Sequence, residues 1–436
     1  MSLIKTISFL LVFVLLATMF SGCKSKNTTT DVSSTMTEEE LMAQIKNDTL
    51  KKKGEKENES SNESSKDGQN TSSEQDGKES SSTVSSGKEV NLMKVKINAV
   101  TPTINKSLLL ANDKVYNWSK NYTQKSSQAY YGSGDIFWGS SVEFEWSCNE
   151  KPEYYILKVS ANKSLEDAVE VKTTANEADI KNIFVGKTIY WQVSAKYKNG
   201  TALSDLFTFQ TVQSPRTIRL NGVSNTRDIG GYMTESGKRV KQGMVYRTAL
   251  LDGINSDGLS AALTDYKIKT DLDLRKSGEG SAGKKSPLGT TVNYINISCP
   301  YYLGKDSTGI NNSENWPALK QIVELFADSK NYPIVAHCSL GRDRTGTLCF
   351  LINGLLGVSK EDLFLDYELS FFSYTGCQDN AGVDHLVTQI EKTYNFIADN
   401  YGNPGDSFST RVEKFLLDVG VTQSKINAIK NNLLEK

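Results

Sequence analysis

Hydrophobic and polar positions divide the 436-residue chain into four stretches of different texture. Ile7 to Phe20 is apolar nearly throughout and runs into Ser21-Gly22-Cys23; it is shorter than a helix needs to cross a bilayer. From Lys24 to about Val90 the residues are mostly Lys, Glu, Asn, Ser and Thr, and such a run cannot bury enough surface to offset its ordering entropy. From about Asn91 to Gln213 apolar and polar residues alternate over short runs, as in Val142-Glu143-Phe144-Glu145-Trp146, Tyr155 to Ser160, Thr188 to Ala195 and Leu206 to Thr211. That two-residue period predicts strands buried on one face, with turns at segments such as Lys198-Asn199-Gly200. From about Ile218 onward, strand-like runs alternate with runs of helical period.

In this last stretch Ser256 to Tyr266 reads as a helix capped by Ser256, with Leu259, Leu263 and Tyr266 on one face. Lys269 to Arg275 and Asn293 to Ile297 read as strands. Trp316 to Ser329 reads as a helix with Pro317 in its first turn. Ser359 to Leu369 reads as a helix capped by Ser359, and Asp384 to Tyr401, Ser409 to Asp418 and Ser424 to Leu434 complete the helical set. Phe371-Phe372-Ser373-Tyr374 reads as an exposed aromatic run, either a lid or membrane-facing patch or else helix packing. The predicted fold is multidomain: an all-β sandwich followed by an α/β domain whose central, mostly parallel sheet is flanked by helices, with chemistry at the C-terminal strand ends. The predicted boundaries are a signal over 1–22, a tether over 23–90, the β-sandwich over 91–214 and the α/β domain over 215–436.

The chemistry concentrates in His337-Cys338-Ser339-Leu340-Gly341-Arg342-Asp343-Arg344-Thr345-Gly346. The apolar run Pro333 to Ala336 before it predicts a strand, and Thr347 to Leu356 after it predicts a buried helix. A strand, a tight loop and a helix N-terminus together form an anion site, because unpaired N–H groups converge there and the helix dipole favours negative charge. Cys338 opens the loop and Arg344 closes it, so one phosphoryl group would meet a nucleophile, a cradle of amides and a bidentate guanidinium.

Composition narrows the alternatives. The formal net charge of -1 argues against a nucleic-acid binder. The six cysteines form no CxxC pair and there are only two histidines, His337 and His385, which fits neither a disulfide scaffold nor a zinc pattern.

Three resemblances extend this reading. The apolar run ending in Ser21-Gly22-Cys23 resembles a bacterial lipoprotein signal, which implies acylation of Cys23 and a lipid-anchored protein on the extracytoplasmic face of the cell membrane; an ordinary secretory signal or an uncleaved anchor is the other reading. Val142 to Val212 resembles a fibronectin type III domain, on the strand of Trp146, the strand Tyr190-Trp191-Gln192-Val193, and the Lys198-Asn199-Gly200 hairpin followed by Ser204 to Phe209. That implies a spacer or a binding module, with Tyr130, Tyr131 and Trp138 as the aromatic candidates for a glycan or protein contact.

Ile218 to Leu434 resembles the tyrosine and dual-specificity phosphatase superfamily, in particular a bacterial secreted branch active on phosphotyrosine and phosphoinositides. The likeness rests on Thr226-Arg227-Asp228-Ile229-Gly230-Gly231-Tyr232, Val245-Tyr246-Arg247-Thr248, Asp271-Leu272-Asp273-Leu274-Arg275 and the loop from His337 to Gly346. It implies Cys338 as nucleophile, Arg344 as the phosphoryl clamp, and Ser339, Leu340, Gly341, Arg342, Asp343 and Arg344 as the phosphate-binding loop. It also implies Asp343 as general acid; Asp306, Asp379 and Asp384 are the rivals. Trp316-Pro317 matches the acid loop of classical members only by accident, since Ala318 follows. His337, Thr345, Asp228 and Arg275, together with Arg247, are the expected supports of the loop. Arg342 is open to two readings, a second anion contact or a solvent-facing charge. No cofactor and no metal are expected. The expected reaction is phosphomonoester hydrolysis through a phosphocysteine, with phosphotyrosine on protein as substrate. A phosphoinositide or inositol phosphate is the alternative substrate, and a non-catalytic surface binding protein the alternative class.

Overall fold

The computed structural model describes residues 90–100, 104–105, 118–127, 142–302, 309–373 and 383–436, without the side chains of 104–105 and 383–386. The apolar run 7–20, Cys23, the tether up to residue 89, Tyr130, Tyr131, Trp138, Asp306, Cys377 and Asp379 lie outside the described residues, as do Tyr374 and the side chains of Asp384 and His385.

The described residues up to Thr211 are mainly β-structure: β1 (Ile97–Ala99), β2 (Ile104–Asn105), β3 (Val142–Cys148), β4 (Tyr154–Ser160), β5 (Val169–Thr173), β6 (Glu177–Ile180), β7 (Thr188–Tyr197), β8 (Gly200–Leu203) and β9 (Phe207–Thr211). Strands β1, β3 and β6 pair antiparallel into one sheet, while β2, β9, β7, β4 and β5, with β8 on β7, form another. The alternation read from sequence is physical here: Val142, Phe144 and Trp146 of β3 are buried while Glu143 and Ser147 are exposed. Phe144 meets Trp191 of β7 edge to face at 5.3 Å, and Trp146 meets Tyr155 of β4 at 5.3 Å, the offset geometry that aromatic quadrupoles favour.

The second half is built on a six-stranded sheet of β10 (Arg216–Thr217), β11 (Arg227–Asp228), β12 (Val245–Thr248), β13 (Thr270–Asp273), β14 (Asn293–Asn296) and β15 (Ile334–His337), in the order β10-β11-β12-β15-β13-β14. Strands β12, β15, β13 and β14 run parallel, but β10 and β11 join antiparallel. Across the described residues eight of the twelve strand pairings are antiparallel. This corrects the expectation of a mostly parallel sheet. The reason is local: β10 and β11 are two residues each, too short to show a period.

The expected free-standing fibronectin-like sandwich is corrected as well. The described residues from 90 to 436 fall in one compact unit, and one apolar core runs from Phe144 and Trp191 through to Leu348 and Phe415. Polar bonds stitch the two halves: the Gln242 amide donates to Val185 O and accepts from Val185 N, both at 2.9 Å, and Arg216 Nε donates to Ile183 O at 3.2 Å. An alternating strand declares that one face is buried, but not against what.

Helices cover the second sheet: α1 (Ser256–Ser260), α2 (Trp316–Leu325), α3 (Arg344–Leu356), α4 (Lys360–Glu368), α5 (Val383–Asn400), α6 (Phe408–Asp418) and α7 (Gln423–Leu433). Along β15, Ile334 and Ala336 face the large core while Val335 faces a smaller cluster with Tyr246 and Tyr266. Both faces are covered, so the strand reads as a continuous apolar run. Helix α3 is central, with every residue after Arg344 buried, and Gly357 ends it at φ +87°. Asn255, not Ser256, caps α1, accepting from the amides of Asp257 and Gly258; α1 then widens into a π turn over Ala261–Asp265. Helix α2 stops at Leu325, earlier than its sequence predicts, because Asp328 opens a new turn by accepting from Lys330 N. Phe371 and Phe372 are both buried, so the expected exposed aromatic lid is absent at these two positions.

Candidate active site

The loop from Cys338 to Asp343 joins the end of β15 to the start of α3, at the C-terminal edge of the parallel strands. Three of its carbonyls are tied from outside. Ser339 O accepts from Leu250 N at 3.2 Å, Leu340 O from Asn225 Nδ2 at 3.0 Å, and Gly341 O from Arg247 Nη2 at 2.8 Å. In a planar trans peptide the N–H points opposite to the C=O. Fixing these carbonyls outward therefore turns the amides of Leu340, Gly341 and Arg342 toward the concave side, where an anion would sit. Gly341 has φ +68°, and a Cβ there would lie 2.4 Å from Thr248 O and 2.6 Å from Ala249 N. Both are backbone atoms, so only glycine fits.

Cys338 is buried at the mouth of β15. Arg344 is the first residue of α3, and its fork is occupied: Nη1 and Nη2 donate to the two carboxylate oxygens of Glu279 at 3.0 and 2.9 Å, and Nη2 also to Ser339 Oγ at 3.3 Å. Burial pulls the guanidinium down, but Glu279 and the nearby Cys338 sulfur outweigh it and hold it above its ordinary value. Burial likewise pushes the Glu279 carboxyl up, and Arg344 more than reverses this. Burial pushes two neighbouring thiols up, Cys349 to about 11 and Cys299 higher still.

Asp343 holds the cap position of α3 without capping it. Its carboxylate instead accepts from Arg342 Nε at 3.0 Å and Nη2 at 3.3 Å. The Arg342 side chain is only 3% exposed and its guanidinium lies 6.0 Å from the Phe371 ring centre, so it is not a solvent-facing charge. His337 is fully buried, with Nε2 at 2.9 Å from Asp271 Oδ1 on the neighbouring strand. The Thr345 hydroxyl is buried, with no hydrogen-bond partner among the described residues.

The remaining supports act at different distances. Arg247 touches the loop directly. Arg275 binds Asp273 and Asp252 at 2.8 to 3.1 Å, which fixes the base of the segment carrying Glu279, one link from Arg344. Asp228 is turned to the sheet edge, where it accepts from Arg216 at 2.5 Å and from the amides of Gly230 and Gly243; the structure brings it to Arg216 and not to the loop.

Glu279, Asp366 and Asn225 carry weight that sequence reasoning missed. Asp366 accepts from Arg227 Nε at 2.8 Å and from Arg247 Nη1, so one buried carboxylate fixes both arginines. Its signal was available: an acid in a helix whose neighbours Leu363, Phe364, Leu365 and Tyr367 are all apolar or aromatic. Glu279 lies in a polar loop and gave no such signal.

The model of the tyrosine phosphatase family matches residues 218–435. This chain belongs to the tyrosine phosphatase family. A putative tyrosine-protein phosphatase of Cupriavidus necator is 24% identical over 181 residues, 36% of this chain and 64% of that protein. A tyrosine-protein phosphatase of Nostoc commune is 27% identical over 164 residues, 33% of this chain and 55% of that protein. The chain thus spans less than two thirds of the length of these relatives. Among solved structures, the core catalytic domain of a PP-IP phosphatase from S. cerevisiae, in complex with citrate, is 17% identical with a TM-score of 0.24, covering 37% of this chain and 91% of that one. The matched residues include the loop from Cys338 to Asp343, Arg247, Arg344 and α3. Among the described residues no helix is long and apolar enough to cross a membrane.

Proposed function

We propose that this chain hydrolyses phosphomonoesters through a phosphocysteine, with phosphotyrosine on protein as its substrate class. The observation that supports this most is the loop whose three carbonyls are tied outward beside Cys338, with the Arg344 fork at the helix start. In this reading the Cys338 thiolate attacks phosphorus, the S–P bond forms, and the bond from phosphorus to the leaving oxygen breaks. Asp343, protonated at that stage, gives its proton to the leaving oxygen. Water then attacks phosphorus, the P–S bond breaks, and the Asp343 carboxylate takes the proton of the water. Arg344 matches the charge developing on the equatorial oxygens with a fork that lysine lacks, and the orphan Thr345 hydroxyl serves the departing sulfur or the water.

Arg342 supports phosphotyrosine over a multiply phosphorylated headgroup, because its guanidinium is committed to Asp343 and Phe371. Cys338→Ser is expected to abolish turnover on every substrate; retained turnover overturns the mechanism and favours the non-catalytic reading. Asp343→Asn is expected to lose most activity on poor leaving groups and little on para-nitrophenyl phosphate. A screen of phosphopeptides against phosphoinositides tests the substrate class, and a preference for the lipids overturns it. We also propose, from the residues around Cys23 alone, a lipid anchor on the extracytoplasmic face; acyl labelling that survives Cys23→Ala would refute it.

A further inference from the structure

Residues Trp118–Ser127 lie far upstream of the family match, yet they close over the helix that holds the phosphate loop. Their target is Glu368, the last residue of α4, which is fully buried. Its Oε1 accepts from the Tyr122 hydroxyl and from Lys125 N, both at 2.7 Å. Its Oε2 accepts from the Ser127 hydroxyl at 2.5 Å and from Ser127 N at 3.3 Å. Trp118, 4% exposed, packs its ring 4.7 Å from Phe372 and donates from Nε1 to Ser126 Oγ at 2.9 Å. Lys125 adds an ion pair to Glu391 of α5 at 3.6 Å.

The helix so gripped is the one that organises the loop. Asp366, two residues before Glu368, fixes Arg247, and Arg247 fixes Gly341 O. Phe371, three residues after Glu368, lies under Arg342, and Arg342 holds Asp343. One turn of chain therefore carries the segment's grip to the cradle on one side and to the acid on the other.

We propose that Trp118–Ser127 is a positioning element of the active site: it clamps Glu368 and thereby fixes Phe371, Arg342 and the Gly341 cradle in working geometry. The working unit of the phosphatase then begins upstream of the family domain. This rests on the function proposed above, and the test separates the two.

In the full chain, Ser127→Ala and, more gently, Tyr122→Phe loosen the clamp without touching the loop. With phenyl phosphate, whose poor leaving group needs the Asp343 proton, kcat is expected to fall about tenfold in Ser127→Ala, the order expected of small misplacement of a catalytic group. With a dinitrophenyl phosphate it is expected to fall less than about twofold, since that leaving group needs little protonation. Equal loss on both substrates, or no loss on either, overturns the clamp. Hydrogen exchange at residues 339–343 reads the same coupling without turnover. Faster exchange in Ser127→Ala and a smaller increase in Tyr122→Phe are expected; unchanged exchange overturns the clamp even if the chain is inactive on every phosphate ester tried.

Discussion

Asp366 and Glu368 stand two residues apart on one helix, both buried, and their surroundings push them in opposite directions. Burial pushes the Asp366 carboxyl up, but Arg227 and Arg247 more than reverse it and hold it below the usual carboxylate range. Burial pushes the Glu368 carboxyl up too, and there the hydrogen bonds from Ser127, Lys125 N and Tyr122 only soften the rise. Burial thus leaves the two carboxyls shifted in opposite directions, because two guanidiniums offset the loss of water more fully than four neutral donors do. Asp366 is the charge on which the loop's arginines are built. Glu368 is a polar anchor for an upstream segment.

The sharpest break of that contrast is Asp366→Asn. It leaves two fully buried arginines short of a counter-charge and is expected to cost about 3–5 kcal/mol, read from the denaturation midpoint. A loss below about 1 kcal/mol would mean that Arg227 and Arg247 do not depend on it. Glu368→Gln keeps the shape but presents an NH2 to donors, and is expected to cost about 1–3 kcal/mol by the same measurement. Tyr122→Phe removes one hydroxyl from Glu368 and is expected to cost about 1 kcal/mol.

The pH dependence separates the pair by sign. Asp366 is depressed in the folded state, so its stabilisation is present above the ordinary aspartate value and is lost as pH falls through the folded value. Glu368 is raised, so its contribution is present below the ordinary glutamate value and is lost as pH rises through the folded one. Stability measured across the acidic range is expected to flatten at its lower end in Asp366→Asn and at its upper end in Glu368→Gln. The same profile in both variants would contradict the contrast.

What the residues disclosed in advance follows from this physics. The loop was legible because its parts are consecutive: a strand end, a glycine that must be glycine, and an arginine at a helix start. Ser359 was legible as a cap because a cap and its amide lie three residues apart, and the hydroxyl does accept from Asp362 N. Asn255 displaced Ser256 by one position, within the slack of any boundary reading. Of the loop's partners only Arg247 was legible, through the resemblance. Asn225, Leu250 and Glu279 come from separate segments, and nothing in a linear pattern says that they meet. The same limit hid the burial of Phe372, whose cover arrives from Trp118.

The Gln242 amide, clasped both ways by the backbone of Val185, bears on how the protein can be cut. A recombinant fragment starting at residue 215 would strip that side chain of both partners and open to water the sheet's flank at Arg216, whose Nε loses Ile183 O. Such a fragment would carry an apolar, hydrogen-bond-hungry margin prone to self-association. A soluble catalytic preparation is better begun upstream of the first described strand, at about residue 90.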